Sequence, residues 1–376
     1  MGLVYFDNAA TTRNKPKEVL DAFNYYIQEI GTSPGRGSYQ LGVQASRMLY
    51  QSRKAVAQYF GNHNSTNVVF TKNSTEAINL FFNGNLQNGD HVIISPYEHN
   101  AVLRPIHYLS LTRGITYSVI DPQDLYNIDR SVLNKYIKSS TKMVALTLAS
   151  NLTGQHVFHR QLAVFFHEKG IEVFVDASQG GGKYLLNMDE DSIDVLAFTG
   201  HKDLFGLPGV GGLCTKQELK IPPLIQGGTG ILGDSFVNPE VYPEAYESGT
   251  LNMPAIWALK AGIEFLIQNG RLMKKQEETL LQRLVVGMKT IDSLKVYNLD
   301  YTREPILCFN VQGRQSSEVV ELLDKEGICA RGGIHCAILA HQAIGTDAIG
   351  AVRVSLNAFN TESEVDFILN VLDGIR

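Results

Sequence analysis

The stretch Asp194–Gly212, DVLAFTGHKDLFGLPGVGG, decides how this chain is read. An apolar run from Val195 to Phe198 ends in Thr199, Gly200, His201 and Lys202. Glycines then turn the chain back into a second apolar run. Most lysines lie in water, so a solvated loop is the simplest account of Lys202. That account fails only if the rest of the sequence gives a reason to place an amine at the end of a strand.

Working outward, similar runs recur. NVVF, HVIIS, KMVALTLAS, IEVFVD and GVGGLCTK read as strands, with helical patterns such as HRQLAVFFHEKG between several of them. Apolar, β-branched runs joined by helices predict an α/β fold with a mostly parallel sheet covered on both faces. The chain has 376 residues, more than one core usually spans. The sequence divides into an N-terminal arm over 1–15, a large domain over 16–253 and a smaller α+β domain over 254–376. A long amphipathic segment opens the last part. Short strands PILCFNV and AVRVSLN around the helix SSEVVELLDKEG follow.

Composition narrows the function. Charged residues make up 19% and hydrophobic residues 44%, as in a soluble enzyme. The net charge of −5, with no dense Lys/Arg block, argues against nucleic acid or an anionic membrane surface as partner. No apolar run approaches the roughly 18 residues of a membrane span. The opening MGLVYFDNAATT lacks the basic and apolar regions of an export signal. Cys214, Cys308, Cys329 and Cys336 lie far apart without a Cys-x-x-Cys pair. The expectation is a cytoplasmic protein with free thiols.

In open α/β sheets, ligands bind beyond the carboxyl ends of the strands. Here those ends carry Ser74 and Thr75, then His99, then Asn151, then Asp176 and Gln179, then Thr199, His201 and Lys202. Each has an ordinary explanation alone. Ser74 and Thr75 cap helices well, Asp176 suits a turn, and a single histidine is usually structural. One ligand explains them together. Pyridoxal phosphate needs a lysine amine for its aldehyde, an acid at its pyridine nitrogen, an aromatic face for its ring and a helix N-terminus for its phosphate. Lys202, Asp176, His99 and Ser74–Thr75 fill these roles in that order. Gln179 is placed for the phenolic oxygen, and Thr199 and His201 for the phosphate.

With these residues in view, the chain resembles the class V aminotransferase branch of the fold type I pyridoxal-phosphate enzymes. More narrowly it resembles the cysteine desulfurases, nearly end to end. YFDNAATT, TKNSTEAINL, EHNA, DASQ, TGHK and ESGTLNMPAIWAL occur in the family's order. The resemblance implies a fold type I transferase architecture and a homodimer in which Thr250 of ESGT reaches the phosphate of the neighbouring subunit. It also implies that Asn151 touches cofactor or substrate.

A second chemical centre lies in ARGGIHCAILAHQAIGTDAIGAVRVSLNAFNT. Cys336 reads as a loop residue, flanked by His335 and followed by His341. A structural thiol and a metal site are the ordinary alternatives, and the spacing lacks the paired Cys/His pattern of zinc. In the resemblance Cys336 is the nucleophile that takes sulfur from L-cysteine, leaving L-alanine and a persulfide for an acceptor protein or small thiol. A free thiol has a pKa of about 8.5, so a nearby imidazole or the cationic site is expected to raise the thiolate fraction. Arg353 corresponds to the family's substrate-carboxylate arginine, and Arg331 is expected as a second anion contact. The compact Cys336 segment resembles the group II desulfurases. SPGRGSYQLG over Ser33–Gly42 departs from the histidine-containing pattern common in that group. Selenocysteine lyase, with L-selenocysteine as substrate, uses the same machinery. A class V aminotransferase or C–S lyase that makes no use of Cys336 is a further alternative, as is a sulfur-carrying regulator. A dinucleotide-binding dehydrogenase is disfavoured, because GLPGVGG precedes a strand and not a helix.

Overall fold

A computed structural model describes residues 2–35, 37–300 and 302–375. Arg36, within the departing Ser33–Gly42 segment, lies outside the described residues. A seven-stranded sheet runs in the order Val68–Thr71, Gly211–Thr215, Val195–Thr199, Glu172–Asp176, Thr141–Thr147, His91–Ile94, Thr116–Val119. Only Gly211–Thr215 is antiparallel to its neighbours. The mostly parallel sheet expected from the apolar runs is therefore present. The edge strand Thr116–Val119 was not among those runs. It pairs on one side, with His91–Ile94, and its residues TYSV are exposed or half-buried, so it carries no continuous apolar signal.

Six strands point the same way, so their carboxyl ends share one edge of the sheet. The helices that leave this edge start close to it. Ser74–Asn85 follows Val68–Thr71, and Asn100–Arg113 follows His91–Ile94. The close approach of the first helix requires Gly211 on the adjacent strand. A Cβ there would lie 2.6 Å from the carbonyl carbon of Asn73.

A second, four-stranded antiparallel sheet has the order Arg331–Gly333, Ala351–Ser355, Ile306–Val311, Leu294–Val296. The N-terminal strand Val4–Tyr5 pairs in parallel with Ile328–Cys329. Val4 and Phe6 consequently join the apolar core of the smaller sheet. One helix of 37 residues, Met253–Lys289, serves both cores. Its first half buries Met253, Ile256, Leu259, Ile263 and Leu266 against the large sheet. Leu280, Leu284 and Met288 pack with Phe309, Val354 and Ile368. Asn252 caps this helix through Ala255 N–H, and Pro254 occupies its first turn, where no N–H donor is needed.

The segment between Gly211–Thr215 and that helix is irregular and is fastened by one buried ion pair. Arg53, on the helix Gln40–Tyr59, forms a two-pronged contact with Glu247, including Nη1 to Oε1 at 2.6 Å. Oε1 also accepts the N–H of Phe70 at 2.6 Å, and Nη1 donates to the carbonyl of Val68 at 2.6 Å. Breaking such a pair leaves an uncompensated buried charge. Glu247→Ala is expected to lower stability by about 3–5 kcal/mol. Urea unfolding of the variant beside the wild type measures this, and a near-neutral result would contradict the anchoring role.

Candidate active site

A cavity of about 230 Å³ opens at the carboxyl edge of the large sheet. Ser74, Thr75, His99, Asn151, Asp176, Gln179, Thr199, His201, Lys202, Arg331 and Arg353 all line it. Five strand ends and the smaller sheet thus bring together residues spread over most of the chain.

The first turn of Ser74–Asn85 forms one wall. Asn73 is the capping residue, and its Oδ1 accepts the N–H of Glu76 at 2.9 Å. Ser74 and Thr75 are therefore not the caps. Their N–H groups are among the first-turn donors that an α-helix cannot satisfy internally, which is a setting for an anion. His99 caps the helix Asn100–Arg113, its Nδ1 accepting the N–H of Ala101 at 3.0 Å. The neutral ring therefore carries its proton on Nε2. Burial pushes this imidazole down to about 4, the Lys202 charge adds to that, and Asp176 opposes it.

Asp176 closes its strand at 2% exposure, with Oδ1 accepting the N–H of Ser178 at 3.0 Å. Lys202 follows Val195–Thr199 directly. Burial pushes its amine below the ordinary lysine value, against the pull of Asp176. His201 is pushed down to about 4 by burial and then by Lys202. Its Nδ1 lies 2.9 Å from Thr11 Oγ1, and its carbonyl accepts from Lys15 Nζ at 2.7 Å. Gln179 is tied to the same N-terminal segment, Nε2 donating to the Ala9 carbonyl at 2.7 Å.

Several polar atoms here are buried without a protein partner. They include Thr199 Oγ1, Ser178 Oγ, Asn151 Oδ1 and Arg353 Nε. A buried polar atom left unpaired costs about 1–3 kcal/mol, so the cavity is suited to a ligand rich in donors and acceptors. A lysine, a carboxylate, a half-buried imidazole and an open helix start complete that set, and together they fit pyridoxal phosphate. Ser178 was missed in the sequence, although it stands between the two polar residues singled out in DASQ.

Arg353 is 1% exposed. Its Nη2 donates to Asp7 Oδ1 at 2.6 Å, and its Nη1 donates to the Asn151 carbonyl at 2.9 Å. It stands opposite Arg331 in the smaller sheet. Two cations therefore share the rim.

Cys336 and Thr250 do not line the cavity. Cys336 lines an adjoining cleft of about 410 Å³, with Thr75 and His99 in the wall between the two spaces. His335 and Cys336 both adopt left-handed backbone, φ 54° and 56°, which is uncommon outside glycine. Two bonds hold the turn, Asn100 N–H to the Cys336 carbonyl and Asn151 Nδ2 to the His335 carbonyl, each at 2.8 Å. The adjacent imidazole, His335, is engaged elsewhere, while His99 lines the cleft with the thiol. His335 Nε2 lies 3.1 Å from the Arg331 carbonyl, and its Nδ1 lies 3.4 Å from His341 Nε2. A carbonyl only accepts, so Nε2 holds the proton, and burial pushes the ring down to about 3. His335 is neutral and engaged away from Cys336. Thr250 lines a different groove with Arg53, Tyr242 and Glu247. The other three cysteines are free thiols. Cys214 and Cys308 are buried in strands, and Cys329 is half-buried beside the N-terminal strand. Among the described residues, no helix is long and apolar enough to cross a membrane.

A family model described as Aminotransferase class-V matches residues 4–368. The chain belongs to the class-V aminotransferase family. Members of this family are pyridoxal-phosphate-dependent enzymes, and the chain's nearly full-length match carries that architecture with it. It is 31% identical to a probable cysteine desulfurase of Methanothermobacter thermautotrophicus, over 99% of this chain and 94% of the relative. It is 32% identical to a probable cysteine desulfurase of Pyrococcus abyssi, with the same shares covered. The solved apo cysteine desulfurase of Thermococcus onnurineus NA1 superposes with a TM-score of 0.90 at 32% identity, over 99% of this chain and 94% of that one. The cysteine desulfurase CsdA of Escherichia coli, solved with an S-sulfonic acid, gives a TM-score of 0.87 at 27% identity, again over 99% and 94%.

The Asp7–Arg353 pair makes a direct prediction. Asp7→Asn keeps the shape and removes the counter-charge of a buried guanidinium. Fully buried pairs cost about 3–5 kcal/mol when broken. The Asp7 side chain is 21% exposed, so a smaller loss of about 2–3 kcal/mol is expected by urea unfolding at neutral pH.

Proposed function

We propose that this protein is a pyridoxal-phosphate-dependent cysteine desulfurase, converting L-cysteine to L-alanine with transfer of the sulfur to Cys336. The observation that carries the reading is the convergence of Lys202, Asp176 and His99 on one cavity, with Cys336 just beyond the His99 wall. When bound, pyridoxal phosphate supplies the electron sink for bond changes at the substrate's α-carbon. The chain's own residues supply the rest. Lys202 would hold the cofactor and move the α-proton, a task helped by its lowered basicity. Asp176 would keep a proton at the ring nitrogen. His99 would offer its aromatic face to the ring. The N–H groups of Ser74 and Thr75 would take the phosphate with Thr199 and His201, and Gln179 would serve the phenolic oxygen. Arg353, Arg331 and Asn151 hold the substrate carboxylate, for which the planar guanidinium is well shaped. Cys336 Sγ forms a bond to the substrate sulfur as the carbon–sulfur bond breaks, which leaves a persulfide on the protein and alanine as product. The persulfide then passes to an acceptor protein or a small thiol.

The thiol's position separates two halves of the chemistry. Cys336→Ala is expected to keep the yellow colour of the bound cofactor, because Lys202, Asp176, Gln179, Thr199 and His201 line the cavity that Cys336 does not. Alanine and sulfide release from cysteine should collapse, because Cys214 and Cys308 are buried and their thiols are pushed up to about 12 by burial. Lys202→Ala should stop turnover altogether, and borohydride should fix the cofactor on Lys202 in the wild type. Near-normal desulfuration by Cys336→Ala would sink the reading in favour of an elimination enzyme.

Thr250 supports a homodimer within the same proposal. It stands apart from Ser74 and Thr75 in one chain, and its groove leaves the large apolar side chains Tyr50 and Val241 exposed. A second copy would cover that surface and bring Thr250 of the partner subunit to the phosphate. Analytical ultracentrifugation should find a dimer, and activity should fall on dilution below its dissociation constant. A monomer with full activity would contradict it.

A further inference from the structure

Glu98 directly precedes His99 and has no part in the chemistry above. It is fully buried. Its Oε1 accepts two hydrogen bonds, from Ser95 Oγ at 2.5 Å and from Thr147 N–H at 2.7 Å. Its Oε2 is buried with no partner. Among the described residues no lysine, arginine or histidine forms an ion pair with it. The ionisable group that acts on it by charge is Asp176, on the strand whose last residue pairs in register with Thr147. The group facing it is thus another acid. His99, next in the chain, and Lys202 interact by charge with Asp176.

An ionised carboxylate in this setting would be uncompensated on one oxygen and repelled by Asp176. Protonation removes the repulsion and the cost of a buried charge, which is far more expensive than burying a neutral polar group. We propose that Glu98 is a positioning residue that stays protonated, tying the His99 turn to the strand Thr141–Thr147 and leaving Asp176 as the single negative charge at the ring-nitrogen end of the cavity. This role rests on the cofactor reading above. It explains how two carboxyl groups stand so near one another without competing for the proton that the ring nitrogen needs. Burial raises the Glu98 carboxyl to about 8, the bonds from Ser95 and Thr147 oppose this, and Asp176 adds to it. A carboxylic acid kept neutral at pH 7 by an apolar site has precedent in enzyme chemistry.

The test is Glu98→Gln, which keeps the shape and is neutral at every pH. In the unfolded chain a glutamate ionises near pH 4.3. Between that pH and about 8 the folded wild type holds a proton that the unfolded chain has lost. Stability of the wild type therefore falls with rising pH through this window, relative to the variant, and levels off above it. Urea unfolding of the cofactor-free proteins should show their unfolding constants diverging from pH 5 to pH 8, by up to about tenfold per pH unit. The reconstituted variant should keep the wild-type visible spectrum, kcat and KM at pH 7. Parallel stability profiles would overturn the proposal. So would a variant with an altered spectrum and a kcat reduced more than about tenfold at pH 7, since the charged carboxylate would then be needed. The stability arm uses no cofactor, so its failure counts against Glu98 alone. A wild-type protein that takes up no pyridoxal phosphate counts against the functional reading, and with it the positioning role.

Discussion

The guanidinium of Arg353 joins three parts of the chain that sequence order keeps apart. It lies on the second strand of the smaller sheet, bonds the Asn151 carbonyl at the edge of the larger one, and pairs with Asp7 from the N-terminal segment. A buried charge tolerates little displacement, because each lost partner leaves an unpaid desolvation cost. Satisfying this side chain ties the two sheets together beside the cavity. The N-terminal residues add to the same fastening. Asn8 bonds Ser355, Asn357 and Asn360, and Thr12 bonds Lys202.

Around that joint the electrostatics follow one pattern. Burial disfavours charge on His99, His201, His335 and Lys202 together. The imidazoles consequently act as neutral rings and hydrogen-bonding groups. Positive charge is left to the two arginines and, in part, to the lysine. Such a cavity draws in an anionic ligand without holding a fixed excess of cations that would repel one another. It also keeps the Lys202 amine less basic than an ordinary lysine.

Much of this was legible in one dimension, because the large sheet places its chemistry at strand ends. An apolar run followed by polar residues marks such an end, and Ser74, His99, Asn151, Asp176 and Lys202 were all found that way. What escaped were features set by a partner distant in sequence. Thr116–Val119 is a strand only because His91–Ile94 lies beside it. The Arg53–Glu247 pair joins residues 194 positions apart, and nothing local to either marks it. The separation of Cys336 from the Lys202 cavity depends on two left-handed residues and on bonds from Asn100 and Asn151. His335 looked like a partner for that thiol by adjacency. Its nitrogens instead find Arg331 and His341, which only the folded turn reveals.

The helix Met253–Lys289 spans about 55 Å at 1.5 Å per residue. Because it contributes apolar side chains to both cores, neither core can lose its packing without exposing part of the same rod. Melting is thereby coupled across the molecule. A chain of this length often unfolds in separable stages, but here the stages share a structural element that must fray for either to begin. The same rod limits relative movement. Any rocking of the smaller sheet would have to bend the helix or pivot about it.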